Sequence, residues 1–167
     1  MKQFIKLTLI LFAAGLLLVA CTADAKEVAD VAAQIADFDL PPGYTADFSA
    51  VVADYSVAAY TPGDGHSHLY LIQSTREADG EALADGLSKL APGSGGERMT
   101  VVENLPVTVR GQHVTAVISE GLNSENIRYR QIMVAFAGKG GPALLALSAP
   151  ENSWNETLVT DFLASLR

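Results

Sequence analysis

The sequence predicts an α+β domain, one antiparallel sheet of about six to seven strands flanked by three helices. Three features carry that expectation. Apolar residues recur at helical spacing in three stretches, while the segments between them alternate at the period of a strand. Connections between the later alternating segments are only a few residues long, which requires antiparallel pairing. Finally, Ala143-Leu144-Leu145-Ala146-Leu147 is apolar on both faces, so it belongs inside a sheet covered on both sides.

In chain order, Val28, Val31, Ile35 and Phe38 mark one face of an amphipathic helix over about 26–38. Pro41-Pro42-Gly43 ends it and opens an extended segment. Strands are expected over about 44–48 and 55–61. In the turn Pro62-Gly63-Asp64-Gly65, proline presets φ and glycine supplies the left-handed conformation, so 66–74 returns as the second arm of a hairpin. Leu83, Leu87 and Leu90 then restore the helical period, with Asp79 placed as N-cap, and the Pro/Gly-rich segment 91–96 breaks that helix.

Met99, Val101, Leu105, Val107 and Val109 are expected on one face of an extended segment that Glu103 interrupts. Pro106 has no N–H to give to a ladder, which assigns this segment to a sheet edge or a bulge. Arg110-Gly111-Gln112 turns the chain into a strand over 113–119 with Val114, Ala116 and Ile118 on one side. A loop over 121–126, a long strand over 127–137, a turn over 138–142 and the interior strand over 143–148 follow. In the closing helix Ser153 and Glu156 have capping-box spacing, and Trp154, Leu158, Phe162 and Leu166 repeat every four residues beside Val159 and Leu163. This helix is expected to dock on the sheet with Trp154 largely buried.

The N-terminus has a different character. Lys2 and Lys6 precede an apolar run from Leu7 to about Ala20, shorter than the roughly 20 residues a bilayer-spanning helix needs. It ends at Leu18-Val19-Ala20-Cys21, which holds the one cysteine of the chain. This stretch resembles the lipobox of bacterial lipoprotein precursors. The resemblance implies cleavage before Cys21, a diacylglycerol thioether on its sulfur and acylation of the new amino terminus. The chain then divides into a signal peptide over 1–20, a lipidated tether over 21–25 and a single domain over 26–167. The tether reaches on the order of 15 Å, which keeps the domain close to the membrane. Thr22 in place of aspartate after the cysteine favours the outer membrane, facing the periplasm, in a cell that has two membranes.

Loss of Lys2 and Lys6 with the signal takes the net charge from −8 to −10. Such an acidic surface argues against a nucleic-acid partner and against attraction to anionic lipid headgroups. With Cys21 acylated, the domain can form no disulfide, and its stability must come from its core.

The element order, with Leu40-Pro41-Pro42-Gly43-Tyr44 leading into the first strand and Phe162-Leu163-Ala164-Ser165-Leu166-Arg167 at the end, resembles the PsbP-like fold. That family includes bacterial lipoproteins of unknown function. The resemblance implies a helix-flanked antiparallel sheet and transfers no site residues.

Candidate chemistry is sparse. His66 and His68 would point the same way if both lay in a strand, and Asp64 or His113 could complete a Zn²⁺ or Cu²⁺ site. The competing reading is two polar residues at the mouth of a hairpin. Arg128 and Arg130 share a strand face and Arg110 ends another strand, so converging arginines could hold a carboxylate or phosphate. The competing reading is cross-strand pairing with Glu103, Glu120 or Glu125. Tyr44, Phe48, Tyr55, Tyr60, Tyr70 and Tyr129 could line a small-molecule pocket or serve as packing. The glycine runs at 93–96 and 138–141 are not placed as phosphate loops, and no Gly-x-Ser-x-Gly elbow is present. Glu77 and Glu81 read as solvated helix carboxylates, and the Asn155-Glu156-Thr157 sequon carries no expectation in a bacterial lipoprotein.

These features together predict a lipid-anchored envelope protein that binds or interacts without catalysis, has no cofactor and contacts the membrane through Cys21. An envelope protein partner is expected, and a small-ligand or metal-binding lipoprotein is the alternative. An enzyme is the third reading. A pocket with converging polar groups would favour the small-ligand alternative or the enzyme, and a shallow apolar patch would favour a protein partner.

Overall fold

The computed structural model of the protein describes residues 24–90, 99–123 and 125–167. The signal segment, Cys21 and most of the tether lie outside the described residues, as does the Pro/Gly-rich break at 91–96. The described chain forms β1 (Thr45–Val52), β2 (Tyr55–Thr61), β3 (His68–Ser74), β4 (Thr100–Val109), β5 (Gln112–Leu122), β6 (Arg128–Ala137) and β7 (Pro142–Pro150). Three helices accompany them: α1 (Ala25–Ile35), α2 (Gly80–Leu90) and α3 (Glu156–Ser165). The strands build one seven-stranded sheet in the order β1-β2-β3-β7-β6-β5-β4, antiparallel at every pairing. The α+β class is as the sequence predicts.

The order explains the strand compositions. β7 is the middle strand, and Ala143 through Leu147 are all buried because helices cover both faces there. β4 is an edge, as Pro106 requires, and most of it is exposed. On one face α1 and α3 bury Val28, Ile35, Leu69, Leu145, Phe162 and Leu163 in the larger core. On the other, α2 closes a smaller core in which Leu83 and Leu87 meet Val57, Tyr70, Ile72 and Leu144. The closing helix therefore docks on the sheet through Val159, Phe162 and Leu163.

The two helices of the larger core are tied at their ends. Asp37 and Arg167 exchange backbone hydrogen bonds of 3.0 and 2.8 Å. Phe38 makes edge contacts with Tyr60 and Phe162, with ring centres 5.9 and 5.6 Å apart. Lys139, at the β6–β7 turn, donates through Nζ to the Ala33 carbonyl and to Asp37.

Several local expectations need correcting. α1 ends at Ile35, so Phe38 reaches the core from the connection beyond the helix. β3 starts at His68, which leaves His66 in the preceding turn. The capping box is not formed: Ser153 belongs to a short 3₁₀ turn, and Asn155 caps α3 by accepting the Leu158 N–H at 3.1 Å. Asn155 is an equally good N-cap residue and stands one position before the helix, so it takes the role. Trp154 lies ahead of the helix and is half-buried rather than enclosed.

In β4 a bulge between Val101 and Glu103 shifts the alternation. Glu103, Leu105 and Val107 stand opposite Ile118, Ala116 and Val114, while Val101 pairs with Ser119 and leaves that face. Glu103 is thus part of the inward face, and Val101 is the residue that departs from the expected pattern.

Candidate functional site

A groove of about 530 Å³ runs between α3 and the β4–β5–β6 part of the sheet. Helix placement creates it. α1 packs on β1, β2 and β3, and α3 reaches β4 across the remaining sheet without filling the space beneath it. Leu105 and Val107 from β4, Ile118 from β5 and Ile132 from β6 line the sheet side. Val159, Thr160, Leu163 and Ala164 line the helix side. The volume is within the range of small-molecule pockets, roughly 300–1,000 Å³.

Polar groups gather at one end. Arg130 projects from β6 with its side chain 22% exposed. Its Nη1 donates to Glu156 Oε1 at 3.3 Å. Glu120 approaches Nε at 3.7 Å and Glu103 approaches Nη2 at 3.9 Å, ion-pair distances too long for hydrogen bonds. Each carboxylate comes from a different element: β4, β5 and the first residue of α3. The bulge in β4 and the register Glu120↔Arg130 turn them to one place. The guanidinium carbon lies 5.5 Å from the centre of the Trp154 ring. Arg130 Nε and Trp154 Nε1 are buried without hydrogen-bond partners. The groove thus has an apolar body and a polar end lined by Arg130, Glu103 and Glu156, with Glu120 flanking the guanidinium.

Of the three arginines singled out in the sequence, only Arg130 faces this groove. Arg128 shares its strand face but pairs loosely with Glu151 at 3.7 Å. Arg110, in the β4–β5 turn with φ of 51°, donates to the Ala137 carbonyl at 2.9 Å. Ala137 is seven residues along β6 from Arg130, about 23 Å at the rise of a strand. The three do not converge. Cross-strand pairing holds for Arg130 with Glu103 and Glu120, whereas Glu125 takes no part in it.

The histidines are likewise apart. Asp64 closes the β2–β3 turn by accepting from the His66 and Ser67 backbone N–H groups at 2.9 and 2.7 Å and from Ser67 Oγ at 2.6 Å. Burial pushes its carboxyl up, but the hydrogen bonds from Ser67 and His66 outweigh that and hold it below the usual carboxylate range. With its oxygens committed to the turn, Asp64 is poorly placed as a ligand. His68 begins β3 and stacks on Tyr70 with ring centres 5.7 Å apart. His113 stands beside Thr108 Oγ1 at 3.2 Å, across the β4–β5 hairpin. Among the described residues no three His, Cys, Asp or Glu side chains form a cluster that could hold a metal ion.

The aromatic residues named in the sequence do not line one pocket: four of the five tyrosines and Phe48 divide between the two cores, and Tyr129 is buried in β6 outside both clusters. Tyr44 and Tyr60 pack on the α1/α3 side, and Phe48, Tyr55 and Tyr70 on the α2 side. Burial of Tyr70, reinforced by Asp47, pushes its phenol up to about 12. Sequence reasoning paired the arginines with Glu103 and Glu120 across the sheet but did not bring Trp154 and Glu156 to Arg130, because the position of α3 over the sheet carries no local signature.

No protein-family model matches this chain, and no curated protein shows significant similarity to it.

Proposed function

We propose that this protein is a lipid-anchored binding module of the cell envelope that holds a small, largely apolar ligand in the groove beneath α3. The groove carries the reading: it combines an apolar body of ligand size with a cluster of charged groups at one end. This favours the small-ligand alternative over a flat protein-docking surface. The lining offers apolar side chains, two threonines and a guanidinium paired with carboxylates, which suits holding a molecule more than transforming it. The anchor rests on the lipobox resemblance at Leu18–Cys21 and is consistent with the PsbP-like element order. Among the described residues no helix is long and apolar enough to cross a membrane.

Native mass spectrometry of the full-length protein extracted from envelopes tests the reading. The expected result is a mature chain beginning at an acylated Cys21, with a bound small molecule absent from an Ala164→Phe variant whose aromatic ring would occupy the groove. An unmodified Cys21 sinks the anchor. An identical ligand load in both chains sinks the groove as the binding site.

A further inference from the structure

The charge at the polar end of the groove selects among apolar ligands. We infer that the groove takes a single-chain amphiphile with a cationic ammonium head, its tail along α3 and its head beside Glu103 and Glu156, the two groove-lining carboxylates of the Arg130 cluster. This rests on the groove being the binding site.

Three carboxylates surround one guanidinium, so among the described residues this end carries a formal excess of two negative charges. Arg130 does not offer a free positive charge: Glu156 hydrogen-bonds it, and Glu103 and Glu120 flank it at 3.9 and 3.7 Å. An anionic head would add a fourth carboxylate to the cluster. An ammonium completes it, and partial removal from solvent strengthens that preference. The apolar remainder, with Leu105, Val107, Ile132 and Leu163 on its walls, has no charge of its own to match. It suits a hydrocarbon tail, whose burial supplies affinity while the head supplies selectivity.

A peptide added to the β4 edge fits less well. Pro106 and the bulge after Val101 interrupt the exposed backbone that strand addition would need.

Trp154 is the one tryptophan in the chain and lines the groove, so its fluorescence reports occupancy. The full-length protein is titrated with decyltrimethylammonium, decanoate and decyl glucoside, each below its micellar concentration. The expected result is a saturable change with decyltrimethylammonium, with affinity at least about tenfold higher than for decanoate, a preference that shrinks as salt rises. A Glu103→Gln, Glu156→Gln double variant should reduce that preference several-fold while leaving the neutral glucoside unaffected. Ala164→Phe should abolish binding of all three, and because residue 164 is exposed its fold should survive. Should its melting temperature fall, Thr160→Phe on the same helix face serves instead.

If decanoate binds as tightly as the ammonium probe, or the double variant keeps the preference, the head class is overturned and the groove stands as an apolar site. If no probe gives a saturable response, or both groove-filling variants bind as wild type does, the groove itself is overturned and the head class with it.

Discussion

Arg130 of β6 lies 5.5 Å from the ring centre of Trp154, the residue that leads into α3. This contact, together with the Glu156 hydrogen bond, fastens the start of the closing helix to the sheet at the polar end of the groove. Cation–π contacts contribute roughly 0.5–2 kcal/mol according to how far they are desolvated. A double-mutant cycle with Arg130→Met and Trp154→Leu is expected to give a coupling of about 0.5–1.5 kcal/mol in urea unfolding. A coupling indistinguishable from zero would mean that the two side chains merely adjoin.

Asp64 provides a test that depends on pH. Its folded carboxyl is held below its unfolded value, so its contribution is fully present above the unfolded value of roughly 3.9. It is lost as pH falls from there through the folded value. Asp64→Ala should therefore lower stability by about 1 kcal/mol at pH 7, and the difference from wild type should shrink below about pH 4. Thermal melts of both chains from pH 7 to pH 2.5 measure it. A gap that stays constant throughout would separate Asp64 from the charge-assisted bonds of the turn.

Phe162 of α3 is buried in the larger core and touches Phe38 edge-on. Truncating it to alanine is expected to cost roughly 3–5 kcal/mol, a large share of a domain's stability. Val101→Thr, on the exposed stretch of β4, should stay within about 0.5 kcal/mol. Deleting the chain from Ser153 onward should abolish the cooperative transition. A truncated chain that melts as wild type does would show that α3 is dispensable to the core.

Gly141, in the β6–β7 turn, is required by a close approach. A Cβ there would stand 2.2 Å from the Ser74 carbonyl oxygen, a backbone atom held within the β3 end of the sheet. Gly141→Ala should destabilise by at least about 2 kcal/mol. Gly43 has open space around it and is constrained only by φ of +85°, so Gly43→Ala should cost about 1 kcal/mol. Equal effects in chemical denaturation would remove the contact with Ser74 as the reason for the glycine.

The fold class was legible because patterning is a local property. The period of 3.6 in Val28, Val31 and Ile35 predicts an amphipathic helix, and the two-faced apolar run 143–147 predicts an interior strand. Pro106 predicts an edge because its backbone lacks a donor. These follow from residues within one or two turns of each other, where chain geometry alone decides which side chains share a face.

The groove was not legible in the same way. Glu103, Glu120, Arg130 and Glu156 are brought together by the β4 bulge, the Glu120↔Arg130 register and the docking of α3. No spacing in the sequence encodes that meeting. The same holds for His66 and His68, whose shared face was lost when Asp64 recruited the His66 N–H into the turn and β3 began two residues later. The sequence by itself determined the type and order of the helices and strands and most of the faces they bury. Only the tertiary structure decided which charges share a space, because that depends on distances between elements far apart in the chain.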